Sequence, residues 1–103
     1  MPILDDQLRS RLPPLYSQEA EDEPMVYAKF HLPGSTLAWY PFEGEAQEND
    51  FLFFGFVAGP ESKFGCFTLS ELEQLRSPLG ACVERDLTFP EGRLTDVVPA
   101  PDS

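Results

Sequence analysis

The sequence contains few side chains that could carry out nucleophilic or acid–base catalysis. His31 is the single histidine, and the two cysteines are Cys66 and Cys82. A cysteine nucleophile needs a neighbouring base and a third group that orients it, and neither cysteine stands in a recognisable nucleophile motif. His31 alternates with Tyr27 and Lys29, which predicts the outer face of a strand. We therefore expect a surface histidine, two buried cysteines with free thiols, and no catalytic residues.

Metal binding has equally weak support in the sequence. One histidine and two separated cysteines are too few for a closed structural zinc site, which takes four ligands. The acidic runs EAEDE (19–23) and EGEAQEND (43–50) lack the spacing of the calcium-binding loop. A loosely held divalent cation is the minor alternative, and we predict no metal and no cofactor.

Carboxylates are the main candidate binding groups. In an extended segment, alternate acids project to one side about 6.6 Å apart, because a strand rises by about 3.3 Å per residue. Such a row resembles a nucleic-acid backbone, which carries a phosphate about every 3.4 Å on each strand. The alternative is that both acidic runs are merely solvated loops. The predicted contact acids are Glu19, Glu21, Asp22, Glu23, Glu43, Glu45, Glu48 and Asp50.

Tyrosines form a second candidate surface. Tyr16 and Tyr40 are candidate anchors, because tyrosine combines an apolar ring with a polar hydroxyl and is enriched at interfaces. Strand alternation places Trp39 and Tyr40 on opposite faces. We predict that Trp39 points inward together with Leu37 and that Tyr40 points outward.

The elements that must position these residues follow from periodicity and turn signals. Leucines at every fourth position predict a helix over 4–12. Alternation predicts a hairpin of strands 25–32 and 36–42, which the turn residues PGS separate. The strand 51–58 has apolar residues on both parities, so we expect it to be covered on both faces.

Further along, the segments 66–69 and 83–89 read as a returning strand and a short edge strand. Between them, TLSELEQL (68–75) predicts a helix with Thr68 as N-cap and Glu71 completing a capping box, with Ser70 as the rival cap. Together the elements predict one α+β domain over 1–103, with a single antiparallel sheet of four to five strands and one or two short helices packed on one face. Its ordered core is expected over about 3–90, with 91–103 as a loosely held tail.

Charge limits the classes of partner. Eighteen acidic residues against seven basic ones give a formal net charge of −11, above the magnitude of about 2–8 that solubility asks of a small domain. Such a field repels nucleic acid and anionic membranes and attracts basic proteins. The apolar run 51–58 is far shorter than the roughly 20 residues of a membrane-spanning helix, and no signal-peptide pattern precedes it. These features predict a cytoplasmic protein and leave its oligomeric state open.

Several ordered blocks carry a family resemblance: LPPLYSQE, VYAKF, WY followed by EG, DFLFFGFV, FTLSELE and ERDLTF. Over residues 8 to about 90, the chain resembles a bacterial family that is described as a domain of unknown function. Its small members are often carried on plasmids and integrative elements near antirestriction genes. The resemblance supplies no catalytic residues; it implies a mobile-element protein of the bacterial cytoplasm that acts against host defence.

These observations lead to three functional hypotheses. The first is a non-enzymatic inhibitor of a basic, nucleic-acid-handling host defence protein, of anti-CRISPR or antirestriction type, acting partly by DNA mimicry. The second is an accessory or adaptor protein in plasmid maintenance or transfer that binds through a sheet edge or an aromatic face. The third is a small enzyme or ligand-binding domain with a pocket around His31 and a cysteine.

Overall fold

A five-stranded antiparallel sheet lies at the centre of the computed structural model, which describes residues 3–18 and 20–97. The strand order is β5-β4-β3-β2-β6, and β1 pairs with β7 in a separate two-stranded sheet. All of these pairs are antiparallel, which confirms the predicted α+β class. In chain order the elements are α1 (Asp6–Arg11), β1 (Met25–Val26), β2 (Phe30–His31), β3 (Ala38–Gln47), β4 (Asp50–Ala58), β5 (Lys63–Thr68), α2 (Leu69–Gln74), β6 (Glu84–Arg85), β7 (Gly92–Arg93) and α3 (Leu94–Val97).

Local turn chemistry builds the meander from β2 to β5. Between β2 and β3, Gly34 adopts a φ of 82°, a left-handed conformation that costs glycine little. The Leu32 N–H donates to the Leu37 carbonyl at 3.2 Å and closes this turn. Residues 59–62 connect β4 to β5. The predicted hairpin between β2 and β3 is confirmed, and the returning strand expected at 66–69 corresponds to β5.

The two longer helices begin at the capping residues that their sequences contain. The Asp5 side chain accepts a hydrogen bond from the Leu8 N–H at 2.8 Å at the start of α1. At the start of α2, Thr68 and Glu71 form the predicted capping box. Leu8 and Leu72 are the buried residues of these helices. Each helix therefore packs through its leucine side, and its polar side faces solvent.

Alternation along the strands divides the buried side chains into two cores. The helix-side core lies beneath α1 and α2, and its main members are Leu8, Leu12, Phe30, Trp39, Phe51, Phe53, Phe67 and Leu72. The opposite core contains Val26, Ala38, Tyr40, Phe42 and Phe56, against which Phe54, Phe89, Leu94 and Val97 pack. Phe89 and the residues of α3 therefore cover part of the second sheet face.

A β-bulge in β3 changes which side chains reach that second face. Pro41 pairs with Gly55 but Glu43 pairs with Phe54, so Phe42 is the extra residue. Phe42 lies in the opposite core, and Glu43 is aligned with Phe54, which packs against the same core. Gly55 is required here, since a Cβ would lie 2.2 Å from the Tyr40 carbonyl oxygen.

Three segments differ from their predicted structure. The predicted strand 25–32 is two short strands, because β1 pairs with β7 while β2 pairs with β3 and β6. Residues 43–47, which lie beyond the predicted strand 36–42, continue β3. Within the expected loose tail, residues 92–97 form β7 and α3 and pack on the opposite core; residues 98–103 lie outside the described part.

Candidate protein-binding surface

A cleft of about 200 Å³ opens on the sheet face opposite α1 and α2. On β4, alternation places Leu52 and Phe54 on this face, and β5 contributes Cys66 directly beside Phe54. The loop between α1 and β1 closes one wall. We call this site the β5 cleft; its lining residues are Leu15, Tyr16, Glu43, Leu52, Phe54 and Cys66.

The buried carboxylate of Glu43 holds the loop wall in place. Glu43 is only 2% exposed. Its two carboxylate oxygens accept the Tyr16 N–H at 2.7 Å and the Gln18 N–H at 2.8 Å. Tyr16 has a φ of 70°, a strained conformation for a non-glycine residue that persists only where its surroundings hold it. Glu43 was predicted to be a contact acid, whereas the structure gives it an internal role.

Gln18 completes the attachment of this loop to the sheet. Its side-chain amide donates to the carbonyls of Met25 at 3.1 Å and Phe42 at 2.9 Å. Its side-chain oxygen accepts the Met25 N–H at 2.7 Å. Backbone and side chain of one residue therefore tie the loop both to β1 and to the bulge of β3.

Asp50 also serves the fold. Its carboxylate accepts hydrogen bonds from the Ser70 hydroxyl, from the Ser70 N–H at 3.0 Å and from the Phe51 N–H at 2.8 Å. These donors, with the Ser70 hydroxyl first, lower the pKa of Asp50 below its ordinary value. Asp50 joins the start of β4 to the first turn of α2.

The first acidic run does not form the expected extended row. Residues 20–23 adopt turns and bends, and Glu19 lies outside the described residues. Glu21 is 3.5 Å from the Arg93 guanidinium, and the Glu23 carboxylate accepts the Thr95 N–H and hydroxyl. These contacts attach the run to the chain around β7 and α3.

The remaining predicted contact acids are exposed. Asp22 lies in the first run, and Glu45 and Glu48 lie at the distal end of the β3–β4 hairpin. Glu45 pairs in register with Leu52, which lines the β5 cleft. The hairpin therefore carries accessible negative charge beside an apolar surface.

The two predicted tyrosine anchors differ in accessibility. Tyr16 is 75% exposed on the wall of the β5 cleft, whereas Tyr40 is 3% exposed. The prediction that Tyr40 points outward is wrong, because Phe89 covers it at a ring-centroid distance of 5.9 Å. Burial, followed by the nearby charge of Asp86, raises the pKa of Tyr40. Trp39 is buried in the helix-side core, as predicted.

Phe64 extends the apolar surface along β5. Its ring contacts Phe56 at 5.4 Å and Phe42 at 5.9 Å between centroids, yet 55% of the residue is exposed. Sequence reasoning missed Phe64, Leu52 and Phe54 as surface residues. The alternation of Phe64 and Cys66 along KFGCF was a usable signal, since it places both on one face of a strand.

The sheet separates His31 from Cys66. His31 lies on β2 and Cys66 on β5, with two strands between them. Three strand spacings amount to about 14 Å, which is beyond the reach of a hydrogen bond. Both Cys66 and Cys82 are free and exposed, so the prediction of buried cysteines is wrong.

Comparison with known proteins places this fold in a family. A family model described as "Protein of unknown function (DUF2958)" matches residues 3–98. The chain belongs to the DUF2958 family. The predicted membership of a domain-of-unknown-function family is thereby confirmed, and the bacterial mobile-element setting stays a prediction. Searches of curated proteins and of solved structures returned no match.

Metal-binding clusters and membrane-spanning helices are both absent from the described residues of this DUF2958 chain. Across residues 3–18 and 20–97, no group of three or more His, Cys, Asp or Glu side chains is arranged to hold a metal ion. In the same part of the chain, no helix has the length and apolar character needed to cross a membrane.

Proposed function

We propose that this protein is a non-catalytic, acidic protein-binding module whose partner is a basic, nucleic-acid-handling protein. The observation that carries the proposal is an excess of negative charge that the fold does not neutralise. Only three of the seven basic residues form ion pairs in the part of the chain that the structure describes: Arg11 with Glu91, Arg85 with Asp5, and Arg93 with Glu21.

The other four basic side chains form no ion pair in the described part of the chain, and three of them contact aromatic rings or backbone carbonyls instead. Arg9 lies over the Phe51 ring at 5.0 Å, and Lys29 lies over the Tyr40 ring at 5.9 Å. Arg76 donates to backbone carbonyls. Most of the net charge of −11 therefore faces solvent, where it attracts a positively charged surface and speeds the encounter with it.

The contact acids that support the proposal are fewer than the sequence suggested. Glu43 and Asp50 are engaged within the fold, and Glu21 and Glu23 hold the chain around β7 and α3. Asp22, Glu45 and Glu48 are exposed and form no ion pair among the described residues. A regular DNA-like row of eight carboxylates is therefore not part of the proposal. The most specific form of the proposal is inhibition of a host defence system, of anti-CRISPR or antirestriction type. The net charge and the family resemblance support this form.

The test compares two double variants that remove the same charge. Glu45→Gln/Glu48→Gln neutralises the β3–β4 hairpin, and Glu73→Gln/Glu84→Gln neutralises exposed acids on α2 and β6. Each protein is used to capture partners from a bacterial lysate at low salt, followed by stepped salt elution. We expect nucleic-acid-handling proteins that elute at moderate salt, because screening shortens the reach of the charges to about 8 Å at physiological ionic strength.

The hairpin variant should retain less of the partner than the control variant. If both variants lose the same amount of partner, the attraction depends on the overall charge and not on the β3–β4 hairpin. Capture of only salt-resistant partners unrelated to nucleic acids would contradict the proposal.

The exposed apolar surface around Phe64 favours a second candidate, an accessory or adaptor protein in plasmid maintenance or transfer. In that case the captured partner withstands high salt, and both acid double variants bind it as the unmodified protein does. Salt-resistant capture of plasmid transfer or partition proteins would support this candidate.

A further inference from the structure

The free edge of the main sheet lies beside its most exposed apolar surface. β5 is the last strand in the order β5-β4-β3-β2-β6, so in the described part of the chain it pairs on one side only. An edge strand presents unpaired N–H and C=O groups to any other extended chain. Because alternate residues point to each side, six residues present about three such sets of groups outward.

The β5 cleft lies within reach of a strand added at that edge. Cys66 of β5 forms part of its lining, and Phe64 lies two residues away on the same sheet face. An apolar cavity of about 150 Å³ holds a benzene molecule. The β5 cleft, at about 200 Å³, is therefore large enough for one branched aliphatic or aromatic side chain.

Charge decides which occupant suits this edge. Residues 43–75, from the second half of β3 through β4 and β5 to the C-cap of α2, contain seven acidic residues and one basic residue, Lys63. Glu45, Glu61 and Glu71 are exposed around β5. A second copy of the chain would bring the same negative charge to the edge, and like charges across an interface are unfavourable. A segment rich in lysine or arginine would meet complementary charge.

We propose that β5 binds an extended basic segment of a partner protein as an added strand, with one apolar side chain of that segment in the β5 cleft. Backbone hydrogen bonds supply affinity in this mode, and the pocket for a side chain supplies specificity. The proposal rests on the proposed function in one respect, the basic character of the partner.

The test uses a defined probe, the fluorescently labelled peptide Lys-Val-Lys-Leu-Lys-Val-Lys. A second peptide replaces each lysine by glutamate, and a third carries N-methyl groups on alternate amides, which removes one hydrogen-bonding edge. Cys66→Lys fills the cleft and repels the probe, while Cys82→Lys makes the same change at the other exposed cysteine. Circular dichroism and thermal unfolding verify that both variants are folded.

We expect the lysine peptide to bind Cys66→Lys at least tenfold more weakly than Cys82→Lys, and the glutamate and N-methyl peptides to bind the unmodified protein at least tenfold more weakly. Amide hydrogen exchange of residues 63–68 should slow on binding, while β6, at the opposite sheet edge, should be unaffected. Equal binding by the two variants, unchanged exchange in β5, or a dimer in sedimentation that Cys66→Lys dissociates would overturn the proposal.

The outcomes also separate this inference from the proposed function. If the peptide binds at β5 but the lysate contains no nucleic-acid-handling partner, the strand-addition site stands and the proposed function fails. If such a partner is captured equally by Cys66→Lys and Cys82→Lys, the strand-addition site fails and the proposed function stands.

Discussion

Replacement of Glu43 by glutamine should lower the free energy of unfolding by about 2 kcal/mol. The Glu43 carboxylate accepts two backbone hydrogen bonds, from Tyr16 and Gln18, while only 2% of the residue is exposed. Glutamine retains one acceptor oxygen and presents an NH₂ group to the other N–H. Loss of one charge-assisted bond that leaves a partly buried donor unpaired costs about 1–3 kcal/mol, part of which is offset because a neutral amide is less costly to bury.

The matched control is Glu45→Gln, two residues further along β3. Glu45 is exposed, and its carboxylate accepts only a 3.4 Å contact from the Gln47 side chain among the described residues. We expect this variant to stay within about 0.5 kcal/mol of the unmodified protein. Both substitutions remove one negative charge, so the difference between them isolates the buried hydrogen bonds.

Urea unfolding followed by the fluorescence of Trp39 measures both variants, because Trp39 is the single tryptophan and is buried. A loss of about 2 kcal/mol corresponds to a fall of roughly 8 °C in the melting temperature of a domain of this size. Amide exchange at Tyr16 and Gln18 should accelerate in Glu43→Gln before global unfolding is detected. Equal unfolding midpoints for the two variants would refute the role assigned to the buried carboxylate.

Two further predictions concern the sheet and its response to acid. Gly55→Ala should destabilise the fold by more than 1 kcal/mol, since its Cβ would meet the backbone of Tyr40 and Pro41. Its register partner Gly65 has open space around it, so Gly65→Ala should be tolerated. Thermal melting of both variants checks this prediction, and equal melting temperatures would contradict it. The pKa values of Asp5, Asp50 and Asp86 lie below their ordinary 3.8, chiefly through hydrogen bonds from the Leu8 N–H, the Ser70 hydroxyl and the Thr88 hydroxyl respectively. The unfolded chain then binds these protons more readily, so the stability that these three carboxylates contribute is fully present above about pH 4 and is lost as the pH drops below it. Urea midpoints of the unmodified protein and of Asp50→Asn at about pH 6 and about pH 3 test the sign, and the fall between the two pH values should be smaller in Asp50→Asn.

Much of the fold was predictable because its signals are local. The capping box joins Thr68 and Glu71, which are three positions apart, and the PGS turn closes a hairpin between neighbouring segments. The alternation of Val26, Ala28 and Phe30 correctly marked three buried residues, although Val26 lies in the opposite core and the other two in the helix-side core. In each case the deciding contact joins residues within one helical turn, one hairpin or one strand period, so the local sequence pattern is enough to predict it.

The candidate surface was less predictable, because its residues depend on segments that are distant in the chain. No property of Tyr40 itself indicates that Phe89 and α3 will cover it. Nor does the sequence of 19–23 show that Glu23 will accept hydrogen bonds from Thr95, which lies 72 residues further on.

The sequence by itself determined the class of fold, the start of α2, the β2–β3 hairpin and the excess of negative charge. Only the tertiary structure decided which acids face solvent. The bulge at Phe42 aligns Glu43 with Phe54, beside the opposite core, and a loop 25 to 27 residues earlier in the chain supplies the two N–H groups that bind its carboxylate. Period-2 alternation places a side chain on one face of a sheet, but the burial of that face depends on what packs against it.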